Sequence, residues 1–234
     1  MDESVQSEYN ERASHYDREW SEYIQSTVKE TKARLPPIDP ADCVLDVACG
    51  TGVLALQLLA AHQPLSIAGV DISSEMLKVF ANKAERELGK ANVFLYQEKS
   101  VVDSALLTRQ GSKVVLVETT AESLPFEACS FDGIVSTNAF HYFPDAEASL
   151  LEMKRVLKPG GWLVLTDWCD DFLFCKLCKF WLQLRRKPFA QFYGTETCSS
   201  MVRSAGFNVQ RADQYRVSTI WGMMTIVARK SVDC

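Results

Sequence analysis

Asp46, Gly50, Gly52 and Asp71 are residues of this chain whose types and spacing permit chemistry. Asp46 interrupts the apolar run Val44-Leu45-Asp46-Val47, where an unpaired carboxylate is costly, so a cationic partner is expected there. The run meets Ala48-Cys49-Gly50-Thr51-Gly52, and Val53 to Ala61 reads as a buried helix. A strand, a tight turn and a helix start bring backbone N–H groups and a positive helix end to one point. Glycine there lets a ligand approach the main chain without a Cβ in the way. The stretch reads as a ligand cradle. A second apolar run, Leu65 to Val70, ends at Asp71, a second carboxylate. His141, in Asn138-Ala139-Phe140-His141-Tyr142-Phe143, follows a further apolar run, Phe131 to Ser136. Its unperturbed pKa suits proton transfer near neutrality, which makes it a candidate base. Cys175-Lys176-Leu177-Cys178 has no second C-x-x-C, and His15, His62 and His141 are far away in sequence, so no metal site is expected.

The elements that position these groups follow from periodicity. Val5, Tyr9, Ala13, Tyr16, Trp20, Ile24 and Val28 recur every three or four residues, which predicts one amphipathic helix stopped by Leu35-Pro36-Pro37-Ile38-Asp39-Pro40. Its aromatic stripe suits either packing on a core or a lid in which Tyr9, Tyr16 and Trp20 close over a ligand. Ser73 or Ser74 can cap a helix with the buried stripe Met76, Phe80, Ala84 and Leu88, ended by Gly89. Val93 to Tyr96 suits a strand and Ser104 to Arg109 a short helix; Lys113 to Val117 is a third core strand and Phe131 to Ser136 a fourth. Asp145 caps a helix carrying Leu150, Met153 and Leu157, and Pro159-Gly160-Gly161 leads into a fifth strand, Trp162 to Thr166. Asp170 to Lys187 reads as a largely apolar helix that is either buried or faces something greasy, Thr195 to Ala205 as another helix, and Val209 to Val217 with Thr219 to Arg229 as a closing hairpin. Alternating strands and helices predict a parallel sheet covered on both faces, with ligands outside the strands' carboxyl ends.

Composition narrows the classes. With 234 residues, 47% hydrophobic and 24% charged, the chain suits one folded α/β domain. Lys+Arg 25 against Asp+Glu 30 gives net −5, and the only basic cluster is Arg185-Arg186-Lys187, which argues against nucleic acid. The acidic start Met1-Asp2-Glu3 with no apolar region after it, and the lack of a run of about 18 apolar residues, lead us to expect a cytoplasmic protein without stable membrane association. The eight cysteines are expected as reduced thiols, with Cys169, Cys175, Cys178 and Cys198 buried.

Gly50-Thr51-Gly52-Val53-Leu54-Ala55 with Asp71 about 20 residues on also fits a dinucleotide-binding fingerprint, so an NAD(P)-dependent oxidoreductase stays open from that motif alone. Three neighbouring motifs favour another reading. Asp46 to Gly52, Gly69-Val70-Asp71-Ile72-Ser73, Ala121-Glu122-Ser123-Leu124-Pro125-Phe126 and Arg155-Val156-Leu157-Lys158-Pro159-Gly160-Gly161, in this order, closely resemble the class I S-adenosylmethionine-dependent methyltransferases. The likeness is to their small-molecule branch, which methylates quinones, arsenicals, amines and other metabolites. It covers residues 40 to 167, and the tyrosine-rich helix before them is similar to that branch's N-terminal lid.

The resemblance implies a Rossmann-like, doubly wound α/β sheet, mostly parallel with an antiparallel C-terminal strand and helices on both faces. It divides one domain, 1–234, into a lid helix (1–35), a cofactor-binding core (40–167) and an acceptor-side cap (168–217). The cofactor is S-adenosylmethionine. Asp71 would accept from the ribose hydroxyls, Ile72 and Met76 would lie against adenine, and Asp46 would face the cationic methionine portion. Gly50 and Gly52 would leave room for the amino-acid portion, and Ala48, Thr51 and Thr137 complete the expected lining. Where the family often has an acid before Ala-Glu, this chain has Thr120, a weaker acceptor for the adenine amino group, so backbone groups of Ala121 and Glu122 are the expected contacts. Acceptor binding is expected from Tyr9, Trp20, Asn138, His141, Tyr142 and Trp168, and catalytic assistance from His141 and Tyr16. The reaction would be an in-line displacement whose main demand is alignment, worth roughly 7 to 11 kcal/mol in favourable cases. A small-molecule acceptor and a monomer or homodimer are expected; a methyltransferase-like partner subunit without activity is the third reading.

Overall fold

In the computed structural model, residues 3–96, 102, 111–172, 191–217 and 221–232 are described. The N-terminal segment holds Glu3–Arg12 (α1), Tyr16–Glu19 (α2) and Ser21–Lys32 (α3). Then come Cys43–Val47 (β1), Val53–Ala61 (α4), Ser66–Asp71 (β2), Ser74–Leu88 (α5), Val93–Tyr96 (β3) and Lys113–Glu118 (β4). Phe131–Thr137 (β5), Ala146–Val156 (α6), Leu157–Trp168 (β6), Thr195–Ser204 (α7), Phe207–Arg216 (β7) and Gly222–Lys230 (β8) complete the order.

β1 is buried along its whole length, which requires neighbours on both edges and cover on both faces. It pairs in parallel with β2 on one side and β5 on the other. The described strands form one eight-stranded sheet in the order β3-β4-β2-β1-β5-β6-β8-β7. β8 pairs antiparallel with both β6 and β7 and so runs against all the others. The Rossmann-like, mostly parallel sheet with an antiparallel C-terminal strand is therefore present. Winding proceeds outward from β1 in one direction through β2 and β4 and in the other through β5 and β6. The loops after β1 and β5 thus part at the carboxyl end of the sheet's centre, where such folds bind ligands.

Strand alternation sends successive side chains to opposite faces. Val44, Ile67, Val114, Leu116, Val135 and Val164 pack with Ile24 and Val28 of α3, Leu58 of α4 and Phe80 of α5. Their neighbours Leu45, Ala68, Val115, Val117, Ile134 and Leu163 pack with Leu150 and Met153 of α6 and Val202 of α7. The caps fall where sequence places them: Ser73 Oγ accepts from Met76 N–H (3.1 Å) and Asp145 Oδ1 from Ala148 N–H (2.9 Å). Gly89 ends α5 at φ +79°.

Three expectations need correction or completion. The single helix predicted over the N-terminal 35 residues is three helices, because the segment turns at Ala13-Ser14-His15 and at Trp20. The turns let α1 pack on α5 while α3 packs on α4, β5 and β6, which one straight rod could not do. β6 begins at Leu157 and not at Trp162, with Gly160 at φ +74° inside it. The helices expected at 104–109 and through most of 170–187, with Cys175, Cys178 and the Arg185-Arg186-Lys187 cluster, lie outside the described residues. Among the described residues no helix is long and apolar enough to cross a membrane.

Candidate functional site

The turn after β1 takes its shape from left-handed backbone at Ala48 (φ +58°), Gly50 (φ +53°) and Gly52 (φ +78°). The two glycines serve different ends. A Cβ on Gly50 would meet nothing within 4 Å, so its Cα faces open space, whereas one on Gly52 would lie 2.2 Å from the ring of Phe80. Gly52 therefore admits α5 and not a ligand. Asp71 spans the gap between the turn and the next helix: Gly50 N–H donates to Oδ2 (2.8 Å) and Ser73 N–H to Oδ1 (2.9 Å). Each oxygen keeps acceptor capacity for a further hydroxyl.

The electrostatics of this end are unusual. Asp46 is 2% exposed, and its Oδ1 is buried without a hydrogen-bond partner. Burial, and then the nearby Asp71 charge, push its carboxyl up from 3.8 to about 8. Burial likewise pushes Asp71 up to about 6, against the opposing pull of the Ser73 and Gly50 N–H groups. Two buried acids with no cation paired to them among the described residues, one of them with an orphaned oxygen, fit a cationic ligand and repel a pyrophosphate.

The N-terminal helices lie across this cleft and are fastened to its rim. Gln6 Nε2 donates to Ile72 O (2.7 Å), and Asn10 Oδ1 accepts from Ser73 Oγ (2.7 Å). Asp17 accepts from Thr51 Oγ1 (2.5 Å) and pairs with Lys83, whose Nζ also donates to Thr51 O (3.0 Å). Tyr9 stands edge-on to both Tyr16 and Tyr142, with ring centroids 5.9 and 5.8 Å apart. Burial raises all three phenols, Tyr16 to about 12. The opposite rim, Thr119 to Phe126, is held from α6: Arg155 donates to Leu124 O and Phe126 O (both 2.8 Å), while Glu152 accepts from Leu124 N–H (3.0 Å). Lys158 pairs with Asp132, which also accepts from Cys43 N–H. The Arg155-to-Gly161 motif thus builds the rim without meeting the cleft.

One cavity gathers most of the expected residues. Ala48, Gly50, Thr51, Asp71, Ile72, Met76, Thr120, Ala121, Glu122 and Thr137 line it, together with Tyr9, Tyr16, Asn138 and Tyr142. Asp46, Gly52, Trp20, His141 and Trp168 do not line it. The amide of Asn138 is already engaged: Oδ1 accepts from Tyr23 (2.8 Å) and Nδ2 donates to Thr27 Oγ1 (3.0 Å). Trp20 packs edge-on against Tyr23 (6.0 Å), and Trp168 stacks between His141 (4.9 Å) and Trp221 (4.7 Å) while donating to Tyr23. Sequence reasoning missed Gln6, Asn10, Asp17 and Lys83, half-buried polar residues whose partners are distant in sequence. It also missed Asp167, which ends β6 next to Trp168. Among the described residues no group of three or more His, Cys, Asp or Glu is placed to hold a metal, and Cys169 and Cys198 are buried free thiols, raised to about 11 and 12 by burial.

Comparison with known proteins agrees with this geometry. Residues 45–165, more than half of the 234, match the methyltransferase domain family. Over 194 residues, 74% of this chain and 67% of the relative, the chain is 30% identical to the ubiquinone/menaquinone biosynthesis C-methyltransferase UbiE of Rhizobium etli. Its fold is similar to a chain of the complex between the Haloferax volcanii Trm112 methyltransferase activator and a methyltransferase (TM-score 0.75, 19% identity, 97% of each chain covered). It is also similar to an S-adenosylmethionine-dependent methyltransferase of Thermotoga maritima (TM-score 0.68, 19% identity, 95% of this chain and 98% of that one). The chain belongs to the methyltransferase domain family, as a class I S-adenosylmethionine-dependent methyltransferase of the small-molecule type.

Proposed function

We propose that the cleft between the turn after β1, the loops after β2, β4 and β5 and the N-terminal helices holds S-adenosylmethionine and a flat, largely apolar acceptor together. The observation that carries this reading is Asp46, a buried acid with an orphaned oxygen behind an open glycine turn, one strand away from Asp71. When bound, the cofactor supplies an electrophilic methyl group on a sulfonium. Asp71 holds the ribose hydroxyls, and Asp46 balances the cationic methionine portion behind Ala48, Gly50 and Thr51. Ile72 and Met76 flank adenine, with Thr120, Ala121 and Glu122 along its edge and Thr137 closing the floor. The leaving thioether departs neutral, so this chain aligns and excludes water and need not protonate it.

Tyr9, Tyr16 and Tyr142 form the acceptor end, where three half-buried phenols and Phe143 offer aromatic surface to a planar molecule. Asn138 shapes that end, while Trp20 and Trp168 brace it from behind. The Rhizobium etli relative is named for ubiquinone and menaquinone, which makes quinols the first acceptor class to try. Net charge −5 supports a partner set without nucleic acid; a cytoplasmic monomer or homodimer completes the proposed reading.

Calorimetric titration with S-adenosylmethionine, its demethylated product and NADPH, followed by methyl-label transfer to a 1,4-naphthoquinol, a catechol and an aromatic amine, tests the reading. Binding of both sulfur compounds and labelling of a ring acceptor are expected. Tight NADPH binding with no affinity for either sulfur compound would overturn it.

A further inference from the structure

His141 and Asp167 form a pair that cofactor binding leaves unused. His141 sits in the one-turn 3-10 helix Phe140–Tyr142 after β5, and Asp167 lies near the end of β6. Asp167 grips the histidine twice: Oδ2 accepts from its main-chain N–H (2.8 Å) and Oδ1 meets its ring Nδ1 (2.7 Å). A carboxylate only accepts, so Nδ1 carries the ring proton and Nε2 presents a bare lone pair. Both side chains are almost completely buried, at 4% and 3% exposure, and Nε2 has no hydrogen-bond partner among the described residues.

Packing alone does not account for this arrangement. The ring stacks on Trp168 (4.9 Å, 10°) and touches Tyr142 (4.1 Å), contacts a phenyl ring would make equally well. What imidazole adds is two nitrogens, one spent on Asp167 and one left unsatisfied, a condition that is unfavourable in a buried site. The position is also telling, since Ala139 and Tyr142 on either side both line the cleft. The imidazole lies immediately behind the acceptor wall, with its plane fixed by stacking and its tautomer fixed by an acid.

We propose that the Asp167–His141 pair accepts the proton the acceptor must lose, with His141 Nε2 as the base, reached over one water that enters beside Tyr142 with the acceptor, and Asp167 as its positioning residue. Resting on the methyl-transfer reading above, this assigns the acceptor to weakly acidic hydroxyl-bearing rings such as quinols and phenols. The hydroxyl O–H bond breaks, its proton goes to Nε2 and the electron pair stays on the ring system. A bond then forms from that ring system to the methyl carbon as the methyl–sulfur bond breaks, its electron pair passing to sulfur. For attack by carbon, the ring proton displaced afterwards restores the aromatic ring and leaves to solvent. For attack by oxygen the proton on Nε2 is lost to solvent before the next turnover; for attack by carbon it returns to the ring oxygen and restores the hydroxyl. The titratable neighbours facing the pair are Tyr142, Tyr193, Tyr23 of α3 and Cys198 of α7, all held above their ordinary values by burial and hence protonated near neutrality.

The test is the pH dependence of kcat on the 1,4-naphthoquinol at saturating cofactor, for the wild type, His141→Gln and Asp167→Asn. The wild-type rate should fall on the acid side. His141→Gln should lower kcat roughly 10²- to 10⁴-fold and flatten that limb, with cofactor affinity unchanged. Asp167→Asn should lower kcat at least about 10-fold by freeing the wrong tautomer, with KM little altered. A His141→Gln enzyme within about threefold of wild-type kcat, or one that keeps the acid limb, would overturn the proposal, while label transfer by the wild type would still uphold the methyl-transfer reading. Imidazole nitrogen NMR of the wild-type protein tests it without any variant: protonated Nδ1 with bare Nε2 is required, and an Nε2–H tautomer would overturn it.

Discussion

Asp46 is the residue whose chemistry the cofactor changes most. Buried and without a cation, its carboxyl is held up near 8, so at pH 7 it is mostly protonated. Placing an ammonium or sulfonium beside it favours the ionised form and drives the proton off. Cofactor binding at pH 7 should therefore release up to about one proton, read as a dependence of the calorimetric enthalpy on buffer ionisation enthalpy. Asp46→Asn should abolish the release and weaken binding; release unchanged in that variant would show the proton comes from elsewhere. Gly50 and Gly52 make a paired prediction. Both variants strain a left-handed backbone, but Gly50→Ala should still fold and lose cofactor affinity, since its new methyl enters open space, whereas Gly52→Ala should unfold at a lower temperature than Gly50→Ala because its methyl would also overlap Phe80. Equal melting temperatures for the two variants would contradict this division. The two glycines look equivalent in the sequence, because the residue that separates them, Phe80, is 28 positions away from Gly52 and its contact is tertiary.

At the scale of elements, the sheet was legible because its strands are short apolar runs ending in turn residues, and Ser73, Asp145 and Gly89 mark helix ends by local hydrogen bonding. The N-terminal segment was misjudged for a physical reason. Its apolar stripe keeps helical spacing through Ala13 and Trp20, but the fold bends it there so that α1 and α2 can cover the cleft. The fastening was illegible since Gln6, Asn10 and Asp17 read as ordinary solvated polar residues. Asp17 with Thr51 and Lys83 ties α2 to the glycine turn and to α5 at once, with both ion-pair side chains partly exposed. Such a contact is worth little to global stability but lies on the route the cofactor must take. Asp17→Ala should raise the cofactor dissociation rate roughly 3- to 10-fold in stopped-flow displacement, from loss of one charge-assisted hydrogen bond and a half-exposed ion pair. Its melting temperature without cofactor should be nearly unchanged. A dissociation rate equal to wild type would mean the cover opens by some other path.

For the whole molecule, the two acids under the cleft set how stability responds to pH and to ligand. In the unfolded chain both titrate near the ordinary 3.8, but in the folded protein Asp71 holds its proton to about 6 and Asp46 to about 8. Between these limits the folded state binds more protons than the unfolded one, so their contribution to stability is fully present below about pH 4 and is lost as pH rises through 6 and 8. A cation bound beside Asp46 removes that penalty. The demethylated cofactor, which keeps the ammonium, should therefore stabilise the protein more at pH 8 than at pH 6. At a hundred times its dissociation constant at a given pH it adds about 2.7 kcal/mol. For a chain of this size that is roughly a 5 to 10 °C rise in melting temperature. Thermal melts at a fixed ligand concentration should show an increment that grows with pH in the wild type and stays flat in Asp46→Asn. The slope belongs to Asp46 only if the variant removes it; a wild-type increment that shrinks toward pH 8 would mean the buried acid does not face the cation, and the methionine portion would then have to lie elsewhere in the cleft.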